Sequence, residues 1–382
     1  MSTSQEISAP AAGRSRRIAA IDWMRGFVML MMVVDHASMA FDAAHLDEDS
    51  ALYPGAATMA LPGFAFFTRW MTHVCAPTFV FLAGTALALS VERRVAKGAD
   101  PWEIDRGILV RGAIIALLDL TVISLGSGRW TLQVLLAIGL SMMAMAGLRR
   151  LPTWALVLIG VGWFAVGEVL TALAWHPPGS SSIWAALTVA TYGGTDMIIK
   201  YPVVPWLAMM VLGWVFGRHI NLFAAGKARM APATVMMIAG VAALGVFLVV
   251  RGFNGYGNMF LPRSDGSWQQ WLHVSKYPPS LSFAALELGL MCVMLWVMMR
   301  LEPILGVREN GPFLVFGQTA MFFYLVHRLV LEVPATYFGL RGCGTIATTY
   351  GVALILLVVL YPACLGFRRF KAAHPESVLK YF

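Results

Sequence analysis

The chain has 382 residues, 59% of them hydrophobic and 13% charged, with a mean hydropathy of +0.71. Soluble domains are nearer half apolar and a quarter charged, so an excess spread along the whole length excludes a single water-soluble core and requires a bilayer. The net charge of +8 would suit nucleic acid, but the basic residues sit in short loops between apolar runs, where they set membrane orientation.

Residues 1–17 read as a polar cytoplasmic tail without a small-residue cleavage site, so the apolar run behind them is retained as a first helix. Apolar runs recur at about 18–42, 74–91, 107–125, 132–148, 154–174, 202–217, 231–250, 280–299, 313–334 and 345–366. At ~1.5 Å per residue each is about long enough for a ~30 Å hydrocarbon layer. This predicts an all-α, polytopic integral membrane protein of about ten transmembrane helices. Residues 18–367 form one membrane domain and 368–382 a second cytoplasmic tail. The sixth run is short and reads as tilted or partly re-entrant. With the N-terminus inside, twenty Lys and Arg fall on the cytoplasmic side and eight on the other, which places both termini in the cytoplasm. Two long external loops, about 43–73 and 251–279, are the segments expected to carry function. Of the four cysteines, Cys292 and Cys364 fall inside apolar runs as inert thiols, and a Cys75–Cys343 disulfide stays open.

The first helix reads IDWMRGFVMLMMVVDHASMAF. Arg25 and His36 lie eleven residues apart, about three turns, and so share a face. The structural reading has Arg25 snorkelling to the headgroups and Asp35 fixing His36. Ionisable groups inside a span are costly and face a bundle interior or cavity, which makes the functional reading the default. Asp35 projects about 100° away from His36 and is expected to orient another partner, such as His73 or Lys276. Four further elements end in polar groups on the external side: Arg69 and His73 in RWMTHVCAP, Trp206 in YPVVPW, Lys276, Tyr277 and Ser280 in KYPPS, and Tyr324 and His327 in FFYLVHR. Tyr and Trp there also suit interface anchoring. His36, His73 and His327, with Asp35, are the catalytic candidates, because histidine accepts and returns a proton near neutral pH. Arg69, Trp206, Lys276, Tyr277, Ser280 and Tyr324 are candidate substrate contacts. No two histidines have ligand spacing within one element, so no metal is expected. Walker, GxGxxG and GxSxG motifs are absent.

The stretches IDWMRGFVMLMMVVDHA, THVCAPTFVFLAGTALAL, RGAIIALLDL, YPVVPWLAMMVLGWVFGR, RGFNGYGN, KYPPSLSF and FGQTAMFFYLVH, in that order, resemble the bacterial branch of the heparan-α-glucosaminide N-acetyltransferase-like family, within the transmembrane acyltransferase superfamily. The resemblance implies a bacterial inner-membrane enzyme that takes an acyl group, usually acetyl, from cytoplasmic acetyl-CoA. It delivers that group to an extracytoplasmic glycan, amino sugar or small molecule. Arg25, Arg106 and Arg111 would meet the CoA phosphates. His36 would act as general base or carry the acyl group, with His73 as the rival base. Gln318, Thr319, Ala320 and Arg328 depart from the family pattern. The expected partners are the bilayer and the acceptor; a homodimer is allowed and nucleic acid is not expected. The main alternative is a proton-coupled transporter using the same groups.

Overall fold

The computed structural model describes residues 18–46, 49–51, 61–177, 179–377 and 379; the tail expected over 1–17 lies outside them. The protein is mostly helical (72%). Helix α1 (Ala19–Phe41) is followed by the short α2 (Gly63–Trp70), then α3 (Cys75–Ala96) and α4 (Pro101–Leu118). A π-helical segment over Asp119–Ile123 leads into α5 (Ser124–Ser127). Next come α6 (Val134–Leu148), α7 (Thr153–Ala174), α8 (Ile183–Thr188), α9 (Val203–Ala224) and α10 (Pro232–Phe253). The chain ends with α11 (Trp268–Leu272), α12 (Leu281–Leu305), α13 (Pro312–Gln318), α14 (Ala320–Tyr337) and α15 (Ile346–Ala373). Proline at the start of α4, α10 and α13 suits the first turn, whose N–H groups have no helical partner.

Among the described residues, seven helical stretches are long and apolar enough to cross a membrane, and the α13–α14 pair makes an eighth if counted as one span. The other two apolar runs are also helical. However, α6 has only 15 residues, and α4 carries Glu103, Asp105, Arg106 and Arg111, so neither reaches that standard. The sixth run is neither short nor re-entrant: α9 runs for 22 residues, because Arg218, His219 and Asn221 extend the helix past the apolar stretch. The broken element is the ninth run, which bends by 90° at Thr319. The fold is also not purely α. Strands β1 (Trp130–Leu132), β2 (Tyr192–Gly193) and β3 (Met197–Ile199) form a small sheet in the order β1-β3-β2, parallel then antiparallel. Two loops at the same end of the bundle satisfy their backbone groups on each other there.

Helix α1 is the hub, packing on α3, α12, α13, α14 and α15. Its polar residues therefore face protein, and Asp22 is buried. The approach to α13 is close enough that a Cβ on Gly26 would lie 1.9 Å from the Phe313 carbonyl oxygen. The same device joins α3 to α9, where a Cβ on Gly213 would meet the Phe81 carbonyl oxygen at 1.9 Å. Small residues let helix backbones approach where lipid supplies no hydrophobic drive. By contrast α7, α10 and α15 leave most of their apolar surface exposed, as lipid-facing helices do.

The two ends of the bundle are tied differently. At one end the α1 terminus pairs with the start of α15 (Asp42 with Gly344), and the Lys276 amide donates to the Asp49 carbonyl at 2.9 Å. At the other, Arg149 and Arg150 both hold Asp105, and the Ala20 amide donates to Glu302 at 3.0 Å.

Candidate active site

The site is organised by two histidines from different helices. His36, near the end of α1, and His327, on α14, face each other with His36 Nδ1 2.7 Å from His327 Nε2. His327 Nδ1 is 2.8 Å from the Phe323 carbonyl oxygen, four residues back along its own helix. A carbonyl only accepts, so His327 Nδ1 carries the hydrogen. In the neutral ring its Nε2 is then the acceptor, and His36 Nδ1 donates to it. The lone pair of a neutral His36 is thereby placed on Nε2, which has no partner among the described residues. His327 is fully buried, whereas His36 is only half-buried. The pair is thus a base with an assigned tautomer and a buried group that assigns it.

A second network lies beside it. Arg69, at the end of α2, donates to Asp35 at 2.6 Å and also to Asp49, with Asp49 in turn 3.3 Å from His73 Nε2. Asp35 is therefore held by Arg69 and not by His73 or Lys276. The cause is tertiary: α2 packs on α1 and brings a guanidinium fork to both carboxylates, a geometry in which Arg bonds well. His73 is sealed in (1% exposed) and its Nδ1 has no hydrogen-bond partner. Burial by itself would raise the Asp49 carboxyl, but the Arg69 guanidinium, with His73 and Lys276, holds it well below the usual carboxylate range.

Lys276, Tyr277 and Ser280 arrive on the turn before α12, and all are buried. Ser280 caps α12 by accepting from the Phe283 amide at 2.9 Å, so its hydroxyl has a structural job. The Tyr277 hydroxyl meets that of Tyr201 at 3.3 Å, and Trp206 is fully buried against Tyr201. Tyr324 packs edge-on to His36 with its hydroxyl unpaired. Six of the expected contacts, Asp35, His36, Arg69, His73, Lys276 and Tyr324, thus gather at one end of the bundle.

Arg25 lies at the opposite end of α1, about 16 Å away at the helical rise. It donates to the Leu82 carbonyl at 2.8 Å and lines a cavity of about 830 Å³ together with Arg93, Arg94, Asp22, Ser90 and Glu302. Arg106 is exposed and Arg111 half-buried; neither lines this cavity. Arg93 and Arg94, in the last turn of α3, were visible in the sequence only as loop-end basic residues. Asp49 and the buried mid-α12 Glu287, whose Oε1 has no hydrogen-bond partner, had no periodic or motif signal that would single them out.

Among the described residues, no group of three His, Cys, Asp or Glu is gathered as metal ligands. The four cysteines are free, with Cys75 buried near the Val28 carbonyl and Cys343 exposed, so no Cys75–Cys343 disulfide forms.

No curated protein matches the chain. The family model described as heparan-alpha-glucosaminide N-acetyltransferase, catalytic, matches residues 17–251. That stretch is well over half of the chain and runs from α1 to near the end of α10, including Arg25, His36, Arg69 and His73. With that match, an α1 whose polar groups face the protein, and a base beside a second ionic network, the chain belongs to the heparan-alpha-glucosaminide N-acetyltransferase catalytic-domain family of membrane acetyltransferases.

Proposed function

We propose that the protein transfers an acetyl group from cytoplasmic acetyl-CoA to an amine or hydroxyl on the opposite face of a bacterial inner membrane. The observation that carries this reading is the Phe323–His327–His36 chain of hydrogen bonds, which leaves an acceptor lone pair on His36 Nε2. A neutral imidazole so oriented can take the proton of an attacking amine or hydroxyl and return it to the leaving thiolate. The basic cavity at the Arg25 end suits the donor: its Arg25, Arg93 and Arg94 side chains match the phosphates of CoA, which is a substrate here and not a resident cofactor. The distance along α1 from Arg25 to His36 is comparable to the reach of a pantetheine arm. An amino sugar or other small glycan is the acceptor class that the family's name favours.

His36→Ala is expected to lower acetyl transfer by about 10²–10⁴-fold while leaving the protein monodisperse in detergent; full retained activity removes His36 from the mechanism. Acetyl-CoA at ~100 times its Kd should stabilise the purified protein by about 2.7 kcal/mol, and Arg25→Gln should weaken that response. A melting temperature that does not move at any acetyl-CoA concentration rejects the donor. Intact mass after incubation with labelled acetyl-CoA then separates direct transfer from an acyl-histidine. Uptake into proteoliposomes with no acylated product would favour a transporter.

A further inference from the structure

Lys276 is 3% exposed, yet its ammonium has no hydrogen-bond or ion-pair partner among the described residues. Its ammonium lies over the face of the Tyr277 ring, 5.3 Å from Nζ to the centroid. No described carboxylate lies within 4.0 Å of its ammonium. The reason is that Arg69 already takes both Asp35 and Asp49. Lys276 is therefore not needed as their counter-ion, and its N–H donors are left for a group that arrives to accept from them.

The backbone carrying it is rigid. The Lys276 amide donates to the Asp49 carbonyl at 2.9 Å, and Lys276 bridges to Pro279. Ser280 N donates to the Ser275 carbonyl at 2.9 Å, Ser275 Oγ donates to the Pro278 carbonyl at 3.0 Å, and Ser50 Oγ donates to the Tyr277 carbonyl. Lys200 lies over the Tyr277 ring at 5.3 Å as well. The turn ties onto Asp49, Asp49 onto Arg69, and Arg69 onto Asp35, the residue next to His36. A donor preorganised near a reacting carbonyl is the arrangement that stabilises charge developing on oxygen.

Resting on the acyl-transfer reading above, we propose that the Lys276 ammonium stabilises the oxyanion of the tetrahedral intermediate, as a catalytic residue outside the matched family region. The acceptor nitrogen or oxygen bonds to the thioester carbonyl carbon as its proton passes to His36 Nε2. The carbonyl electron pair moves onto oxygen, where a Lys276 N–H donates to it. Collapse restores the carbonyl, breaks the C–S bond, and the thiolate takes the proton back from His36.

The test uses the full chain in detergent or nanodiscs and two unreactive CoA thioethers. Carboxymethyl-CoA carries an anionic oxygen near the acyl position; acetonyl-CoA carries a neutral carbonyl in its place. Lys276→Met is expected to weaken carboxymethyl-CoA binding by about 10–100-fold, the loss expected for a hydrogen bond to a charged group. Acetonyl-CoA should change by less than about twofold. Lys276→Arg should keep most of the preference for the anion, and Lys276→Gln serves if the Met variant fails to fold. Equal weakening of both analogues, or no change in either, overturns the role of Lys276. If the unaltered protein binds neither, the CoA reading itself fails and takes this role with it. In an acetyl-transfer assay with glucosamine, kcat should fall about 10²–10³-fold in Lys276→Met; an unchanged kcat would also overturn the proposal.

Discussion

His327 acts on His36 through one hydrogen bond, and its own orientation comes from the Phe323 carbonyl. His327→Ala should therefore lower kcat by about 10–100-fold, the value of one hydrogen bond to a reacting group, with little effect on KM for acetyl-CoA. His327→Gln should recover much of it, because an amide oxygen can accept from His36 Nδ1. Failure of Gln to rescue, with Ala inactive, would mean that packing rather than tautomer is what His327 supplies. The Arg69 network behaves differently, since it is buried and ionic. Arg69→Met strands Asp35 and Asp49 without their cation and should cost about 3–5 kcal/mol, read as loss of folded protein in thermal melting. The pH dependence follows from Asp49. Its carboxyl is held well below the usual range by Arg69, so the folded state favours the ionised form and the unfolded chain binds a proton first on acidification. That stabilisation is complete above the ordinary aspartate pKa of about 3.9 and is lost as pH falls below it. Melting of the unaltered protein should therefore drop more steeply toward pH 3 than that of Asp49→Asn.

At the level of elements, glycine decides which helices pair. Gly213 on α9 and Gly84 on α3 each face a partner carbonyl at a distance no Cβ could occupy. Gly213→Val should cost about 1–3 kcal/mol or more by overpacking, visible as a lower melting temperature in detergent; an unchanged melting temperature would mean that α3 and α9 can part without loss. These glycines stand in the sequence as ordinary members of apolar runs, and nothing local shows which helix each will meet. The positions of ten helical runs were legible because apolarity at ~20 residues is a strong signal. Details of shape were not. The bend at Thr319 and the extension of α9 to Ala224 depend on what each segment packs against. Arg218, for example, is charged but can end α9 comfortably, since it donates to the Leu151 carbonyl at 2.8 Å and pairs with Glu92 at 3.3 Å.

For the whole molecule, the proposed orientation places the His36 end outside the cytoplasm. Cys343 is free, exposed and adjacent to Gly344, which pairs with Asp42 at that end. A membrane-impermeant maleimide should label it in intact spheroplasts, while Cys75, Cys292 and Cys364 stay protected by burial; labelling only after lysis would invert the topology. Composition and the spacing of apolar runs alone determined that this chain lives in a bilayer, that it is largely helical, and that Arg25, Asp35 and His36 sit where lipid cannot accept them. Those are properties of short segments, set by transfer energies and helical period. Only the tertiary structure decided which charges neutralise which. Arg69 takes Asp35 and Asp49, Lys276 is left without an ion pair, and His327 orients His36. Each of these joins residues from different helices or loops, and the distances between them are set by packing, which no local pattern encodes.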